Sequence, residues 1–143
     1  MSAYFDSAYI AKCYVNEPDS ARVRSLLRSS GGAHSSSLAR AEVAATLLRH
    51  LREGALNSKQ AAVLQKDFVR DLAAGVWTMV PVSDDFMARV AGRLAMLPAT
   101  THIRAGDAIH LCAASEAGFT DVWTNDRHML GAASAFGLVG RSV

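Results

Sequence analysis

Apolar positions in this chain come in short blocks that switch repeatedly between a strand-like and a helix-like period. Residues 2 to 5 predict a short apolar strand ending at Asp6, with Ser7 placed to cap a helix that carries Ile10, Ala11, Tyr14 and Val15 towards Glu17. Pro18 and Asp19 restart a helix with Val23, Leu26 and Leu27 inward, and Ser29, Ser30, Gly31 and Gly32 end it. A small strand through residues 33 to 36 follows on a weak signal. From Ser37, the residues Leu38, Ala41, Ala45, Leu48 and Leu51 recur at helical spacing, so this stripe is expected inward, with Arg40, Arg49 and Arg52 off it and Glu42 in the first turns.

Glu53-Gly54 breaks that helix, and Asn57 followed three residues later by Gln60 predicts a capping box opening a helix to about Ala73. Val76, Trp77, Met79, Val80 and Val82 give the clearest buried-strand pattern, followed by Ser83 as cap of a helix through Phe86, Val90 and Leu94 that Pro98 stops. After a polar loop, residues 105 to 117 read as a helix with Ile109, Leu111, Cys112 and Ala113 inside and Asp107 in its first turn, closed by Gly118. Asp121 to Thr124 is a further strand, Asn125 can cap a helix starting near Asp126, and Leu138-Val139 offers a last strand after Gly137. Alternating strands and helices predict a three-layer α/β/α sandwich around a central parallel sheet, with functional groups on the loops after the strands.

With half of its 143 residues hydrophobic, the chain suits one domain spanning 1–143 that buries about two-thirds of its unfolded surface. No basic segment precedes an apolar stretch at the N-terminus, and no apolar run approaches a membrane span, so a soluble, cytoplasmic protein with no membrane partner is expected. Cys13 and Cys112 each stand alone in apolar helical surroundings, which predicts buried thiols rather than a disulfide or a zinc site.

Position, rather than abundance, singles out four acids. Asp6 and Asp126 follow strands directly, and Glu42 and Asp107 sit in the first turns of helices, so all four are expected at one rim of the sheet. Gathering like charges is unfavourable, since unit charges about 4 Å apart repel by about 1 kcal/mol in water and more inside protein. A hard divalent cation removes that repulsion, and an all-oxygen ligand set points to Mg²⁺ or Mn²⁺. The net charge of +2 says little, but outside the four acids nine acids remain against fifteen Lys and Arg. An acidic notch in an otherwise basic surface suits hydrolysis of a polyanion by metal-activated water.

Four segments then carry a family likeness: Tyr4-Phe5-Asp6-Ser7-Ala8, Leu38-Ala39-Arg40-Ala41-Glu42-Val43-Ala44, Arg104-Ala105-Gly106-Asp107-Ala108-Ile109-His110 and Thr124-Asn125-Asp126. In this order and at these separations they resemble the PIN domain over essentially the whole chain, and within it the VapC toxin ribonucleases of toxin–antitoxin pairs. The resemblance implies that Asp6, Glu42, Asp107 and Asp126 are the catalytic, metal-binding acids. It further implies that Ser7, Thr124 and Asn125 support those acids or touch a metal's waters, and that the protein is an endoribonuclease toxin, a homodimer, with RNA as substrate and a cognate antitoxin over the site. One departure is Ala8, where family members often carry a second hydroxyl or Asn.

Arg104, Lys12 and Arg127 flank the acids and are candidate RNA contacts. Asp84 and Asp85 read as ordinary helix-start acids, His110 as a surface or supporting group, and Trp77 and Trp123 as core residues rather than stacking platforms; His34, His102 and His128 lack metal-ligand spacing. An aspartyl-nucleophile phosphohydrolase needs a second Asp where Ala8 stands, and a receiver domain needs a late Lys, yet the only lysines are Lys12, Lys59 and Lys66. The remaining alternative is a PIN-like RNA- or protein-binding module with little or no turnover.

Overall fold

The structure is a computed structural model describing all 143 residues. In chain order the strands are β1 (Ser2–Tyr4), β2 (Gly32–Ser36), β3 (Trp77–Val80), β4 (Asp121–Trp123) and β5 (Val139–Arg141). The helices are α1 (Ser7–Tyr14), α2 (Ser20–Ser29), α3 (Leu38–Arg52), α4 (Ser58–Ala73), α5 (Asp84–Ala95), α6 (Ala105–Glu116) and α7 (Arg127–Ala132), with a 3₁₀ turn at Ala133–Phe136.

Every strand pairing is parallel. β2 lies between β1 and β3 with Tyr4 opposite His34 and Ala33 opposite Trp77, while β4 pairs with β5. A bridge between Phe5 and Trp123 joins the two ladders, and the Asp6 amide donates to the Trp123 carbonyl at 3.1 Å. The combined order is therefore β3-β2-β1-β4-β5, and the chain reverses its direction of travel between β1 and β4. At such a reversal the connections leave on opposite sides and open a crevice beyond the strands' carboxyl ends, the place where open α/β sheets bind ligands.

Alternation along β1 separates the two sides of the sheet. Tyr4 enters a core with Phe86, Val90, Ile109, Leu111, Met129 and Phe136 from α5, α6, α7 and the 3₁₀ turn. Phe5 enters the other, with Tyr9, Ile10, Val23, Val43, Phe68 and Trp77 from α1 to α4 and β3. Helices cover both faces, as the three-layer expectation requires.

Several local expectations need correction. The inward face of α3 is Ala39, Val43 and Leu47, whereas Leu38 and Leu51 are half-buried and Ala41, Ala45 and Leu48 are exposed, Leu48 at 60%. β3 is an edge strand in which only Trp77 is buried, and Val76 just before it is 41% exposed, while the weakly signalled β2 is internal, paired on both sides. Cys112 is buried as expected, but Cys13 is only half-buried. Neither Ser7 nor Asn125 caps its helix: the caps are Asp6 for α1 and Asp126 for α7.

Candidate active site

Asp6 leaves the carboxyl end of β1 and immediately caps α1, its Oδ1 accepting the Tyr9 amide at 2.8 Å. Its Oδ2 accepts the Thr124 hydroxyl at 2.5 Å from the residue that follows β4. The Thr124 oxygen in turn accepts the Asp126 amide at 2.9 Å, and Asp126 caps α7 by accepting the His128 and Met129 amides at 2.8 and 3.0 Å. One buried hydroxyl thus ties the ends of β1 and β4 together at the reversal of strand order. Asp6 itself is only 4% exposed.

Glu42 approaches from α3. Its Oε1 accepts the Ser7 hydroxyl at 2.7 Å and bonds His110 Nε2, also at 2.7 Å. His110 is buried on α6, three residues after Asp107, and its Nδ1 lies 3.0 Å from the Tyr4 hydroxyl. A carboxylate can only accept, so in the neutral ring Nε2 carries the proton and Nδ1 accepts from Tyr4. Sequence reasoning left His110 as a surface or supporting group; it is buried, not on the surface, and supports Glu42 directly. The i, i+3 spacing from Asp107 was the signal available for it.

Asp107 folds back over the start of α6, its Oδ2 accepting the Arg104 amide at 3.3 Å. A Cβ placed on Gly106 would lie 3.4 Å from Glu42 Oε2, so α6 begins against the α3 carboxylate.

The electrostatics divide the acids. Burial raises the Asp6 carboxyl, and the Asp126 charge adds to this, while the Thr124 and Tyr9 hydrogen bonds oppose it. Burial likewise raises Asp107, again with help from Asp126, against the Arg104 amide bond. Glu42 goes the other way: burial alone would raise it, but the bonds from His110 and Ser7 and the His110 charge outweigh burial and hold it low. Burial is the larger cause for both Asp6 and Asp107, and the Asp126 charge acting on each places the three carboxyls within one another's field.

The expected quartet shares one rim, but it is not drawn together into a ligand sphere, as no three His, Cys, Asp or Glu side chains close around one point. Each acid is held by its own hydrogen bonds, and repulsion favours separation. The donor chemistry nonetheless fits a hard cation. Glu42 Oε2, Asp107 Oδ1 and Asp126 Oδ2 accept no protein hydrogen bond, whereas the other oxygen of each is the one anchored.

The neighbouring candidates fall into different places. Ser7 and Thr124 bond acids of the quartet directly, but Asn125 does not: its side-chain oxygen accepts the Tyr9 hydroxyl at 2.6 Å and its amide donates to Asp19. The Tyr9 hydroxyl also accepts the Val143 amide, so Tyr9 holds both Asn125 and Val143, while Asn125 ties the end of β4 to the α1–α2 connection at Asp19. Lys12 forms ion pairs with Glu17 at 2.6 Å and Asp19 at 2.8 Å, which leaves little free positive charge for a polyanion. Arg104 and Arg127 are exposed at the starts of α6 and α7.

A family model described as the PIN domain matches residues 3–134. Among solved structures, the chain is similar to Mycobacterium tuberculosis VapC20, described as a Sarcin-Ricin loop cleaving toxin, at 14% identity, with 91% of this chain and 94% of that chain covered and a TM-score of 0.71. It is similar to FitAcB from Neisseria gonorrhoeae at 18% identity, covering 98% and 96% of the two chains with a TM-score of 0.71. VapBC2 from Rickettsia felis, bound to a DNA fragment from their promoter, matches at 14% identity over 99% and 98% with a TM-score of 0.64. At these identities the structures speak for a shared fold. Comparison with curated proteins gives no match.

Proposed function

The chain belongs to the PIN-domain family, and from that premise we propose that it is a Mg²⁺- or Mn²⁺-dependent endoribonuclease acting as the toxin of a toxin–antitoxin pair. The observation that carries the reading is the placement of Asp6, Glu42, Asp107 and Asp126 around the strand-order reversal, with burial, and to a lesser degree the Asp126 charge, raising the Asp6 and Asp107 carboxyls.

Asp6, Glu42, Asp107 and Asp126 would hold the cation. When bound, it supplies Lewis-acid stabilisation of phosphate charge and a nucleophilic water at neutral pH. The chain's own residues do the positioning. Thr124 fixes Asp6 against the end of β4, and Ser7 with His110 fixes one oxygen of Glu42 and leaves the other outward. The low-lying Glu42 carboxyl is ionised at neutral pH and ready as a ligand or as an acceptor for a water proton. Arg104 and Arg127 stand beside Asp107 and Asp126, where they can hold phosphate oxygens.

RNA is the proposed substrate, by likeness to a solved toxin described as cleaving the Sarcin-Ricin loop and by the excess of Lys and Arg over the acids outside the quartet. A cognate antitoxin and a homodimer belong to the same proposal, the former supported by the fold shared with VapBC2. No helix is long and apolar enough to cross a membrane, in keeping with a cytoplasmic protein.

A set of acids along one rim bears on competence rather than rate, so the second reading is a binding module with little turnover. Incubating a mixed bacterial RNA pool with wild type and Asp6→Asn, each with Mn²⁺ or EDTA, separates the two. Cleavage by wild type alone, lost with EDTA, supports the nuclease; RNA retained intact by both proteins favours the module.

A further inference from the structure

Beside the acid rim runs a groove of about 560 Å³ between α1 and α3 that the catalytic reading uses only at one end. Ser7 and Glu42 line one end of it, and Arg49 and Arg52 line it farther along α3. At 1.5 Å per helical residue, Arg49 stands about 10 Å and Arg52 about 15 Å beyond Glu42 along the helix axis. Both arginines are exposed and take part in no ion pair, whereas Lys12, the other cation in the groove, is neutralised by Glu17 and Asp19. Free positive charge in this groove is therefore confined to two side chains in line with a quartet carboxylate.

We propose that this groove carries the stretch of single-stranded RNA flanking the scissile bond, with Arg49 and Arg52 gripping its phosphates. The proposal rests on the ribonuclease reading of the acid rim. Ala8, Ala11 and Ala45 make a shallow, sequence-tolerant floor, and the volume lies in the range that encloses a ligand-sized strand segment. A planar guanidinium fork matches phosphate oxygens in a way that an ammonium does not. An acidic peptide is the poorer occupant. Alanines and one leucine offer no pocket for an anchoring side chain, and the Glu42 end repels carboxylates.

The test is fluorescence anisotropy of a short, unstructured, labelled RNA with the full chain in EDTA, across a salt series. R49A/R52A is expected to bind on the order of tenfold more weakly at low salt, with the log–log salt slope reduced by about 1.4 for two lost single-strand phosphate contacts. R49K/R52K is expected to recover part of the affinity, and R22A/R28A on α2 to bind as wild type. Wild-type affinity and slope in R49A/R52A, or an equal loss in R22A/R28A, would overturn the proposal. So would a polyglutamate competitor that displaces RNA from wild type as readily as unlabelled RNA does, because the groove would then be a site for an acidic protein segment. The two readings fail separately: intact RNA binding by R49A/R52A, with cleavage still abolished in Asp6→Asn, removes the track alone. Lost binding by R49A/R52A, with Asp6→Asn cleaving normally, leaves the track and removes the catalytic assignment.

Discussion

Thr124→Val is nearly isosteric and removes one hydroxyl from a residue with no exposed surface, so its cost follows from hydrogen bonds rather than packing. The hydroxyl donates to the buried Asp6 carboxylate at 2.5 Å and accepts the Asp126 amide at 2.9 Å. A bond to a charged group contributes about 1.5–3 kcal/mol, whereas the amide of exposed Asp126 can turn to water at small cost, so the total is about 2–3 kcal/mol. For a chain of this length, that lowers the melting temperature by on the order of 10 °C. The assay is urea and thermal unfolding in EDTA of wild type, Thr124→Val, Asp6→Asn and the double variant. Because the main loss runs through the Asp6 charge, the double-variant cycle is expected to give a coupling of at least about 1 kcal/mol. Additive effects, or a Thr124→Val cost under about 0.5 kcal/mol, would refute the claim that this hydroxyl ties β1 to β4 through Asp6.

Four further predictions concern the acids, their partners and the packing of α3. Glu42 has a lowered carboxyl, so its stabilisation is present above its ordinary value of 4.5 and is lost as pH falls through the folded value; Glu42→Gln is expected to flatten acid unfolding in that window, followed by circular dichroism. Asp6 and Asp107 are raised, so their contribution is present below 3.8 and lost as pH rises through the folded values; in EDTA at neutral pH, Asp107→Asn is expected to melt above wild type. His110→Ala strands the Tyr4 hydroxyl and weakens the hold on Glu42, and denaturant titration is expected to read a loss of about 3 kcal/mol. Leu47→Ala is expected to cost about 2–5 kcal/mol and Leu48→Ala under about 1 kcal/mol; equal losses would mean that the inward face of α3 is misassigned.

The sequence made the order of elements readable because Gly, Pro and capping residues punctuate it, and it made the acids readable because each follows a strand or opens a helix. What it left open has physical causes. α3 carries two apolar stripes, Leu38-Ala41-Ala45-Leu48 and Ala39-Val43-Leu47, and periodicity alone does not say which one packs. β2 hides its internal position because His34, Ser35 and Ser36 fill a crowded layer with small or polar groups instead of branched apolar ones. Ser7 and Asn125 are good caps by type, but Asp6 and Asp126 each stand one residue away from them and take that role, so the capping carboxylates are also the candidate ligands. The neutralisation of Lys12 depends on the chain turning at Pro18 to bring Glu17 and Asp19 back over α1, which no helical spacing announces.

Binding of a divalent cation is the most direct test of the central claim, because it needs no knowledge of the RNA target. Calorimetric titration of Mn²⁺ into wild type, Asp6→Asn and Asp107→Asn is expected to show saturable binding to wild type and a strong loss in both variants, with wild type alone gaining melting temperature as the cation is added. Equal binding by all three proteins, or none by wild type, would contradict the assignment of the acid rim as a metal centre.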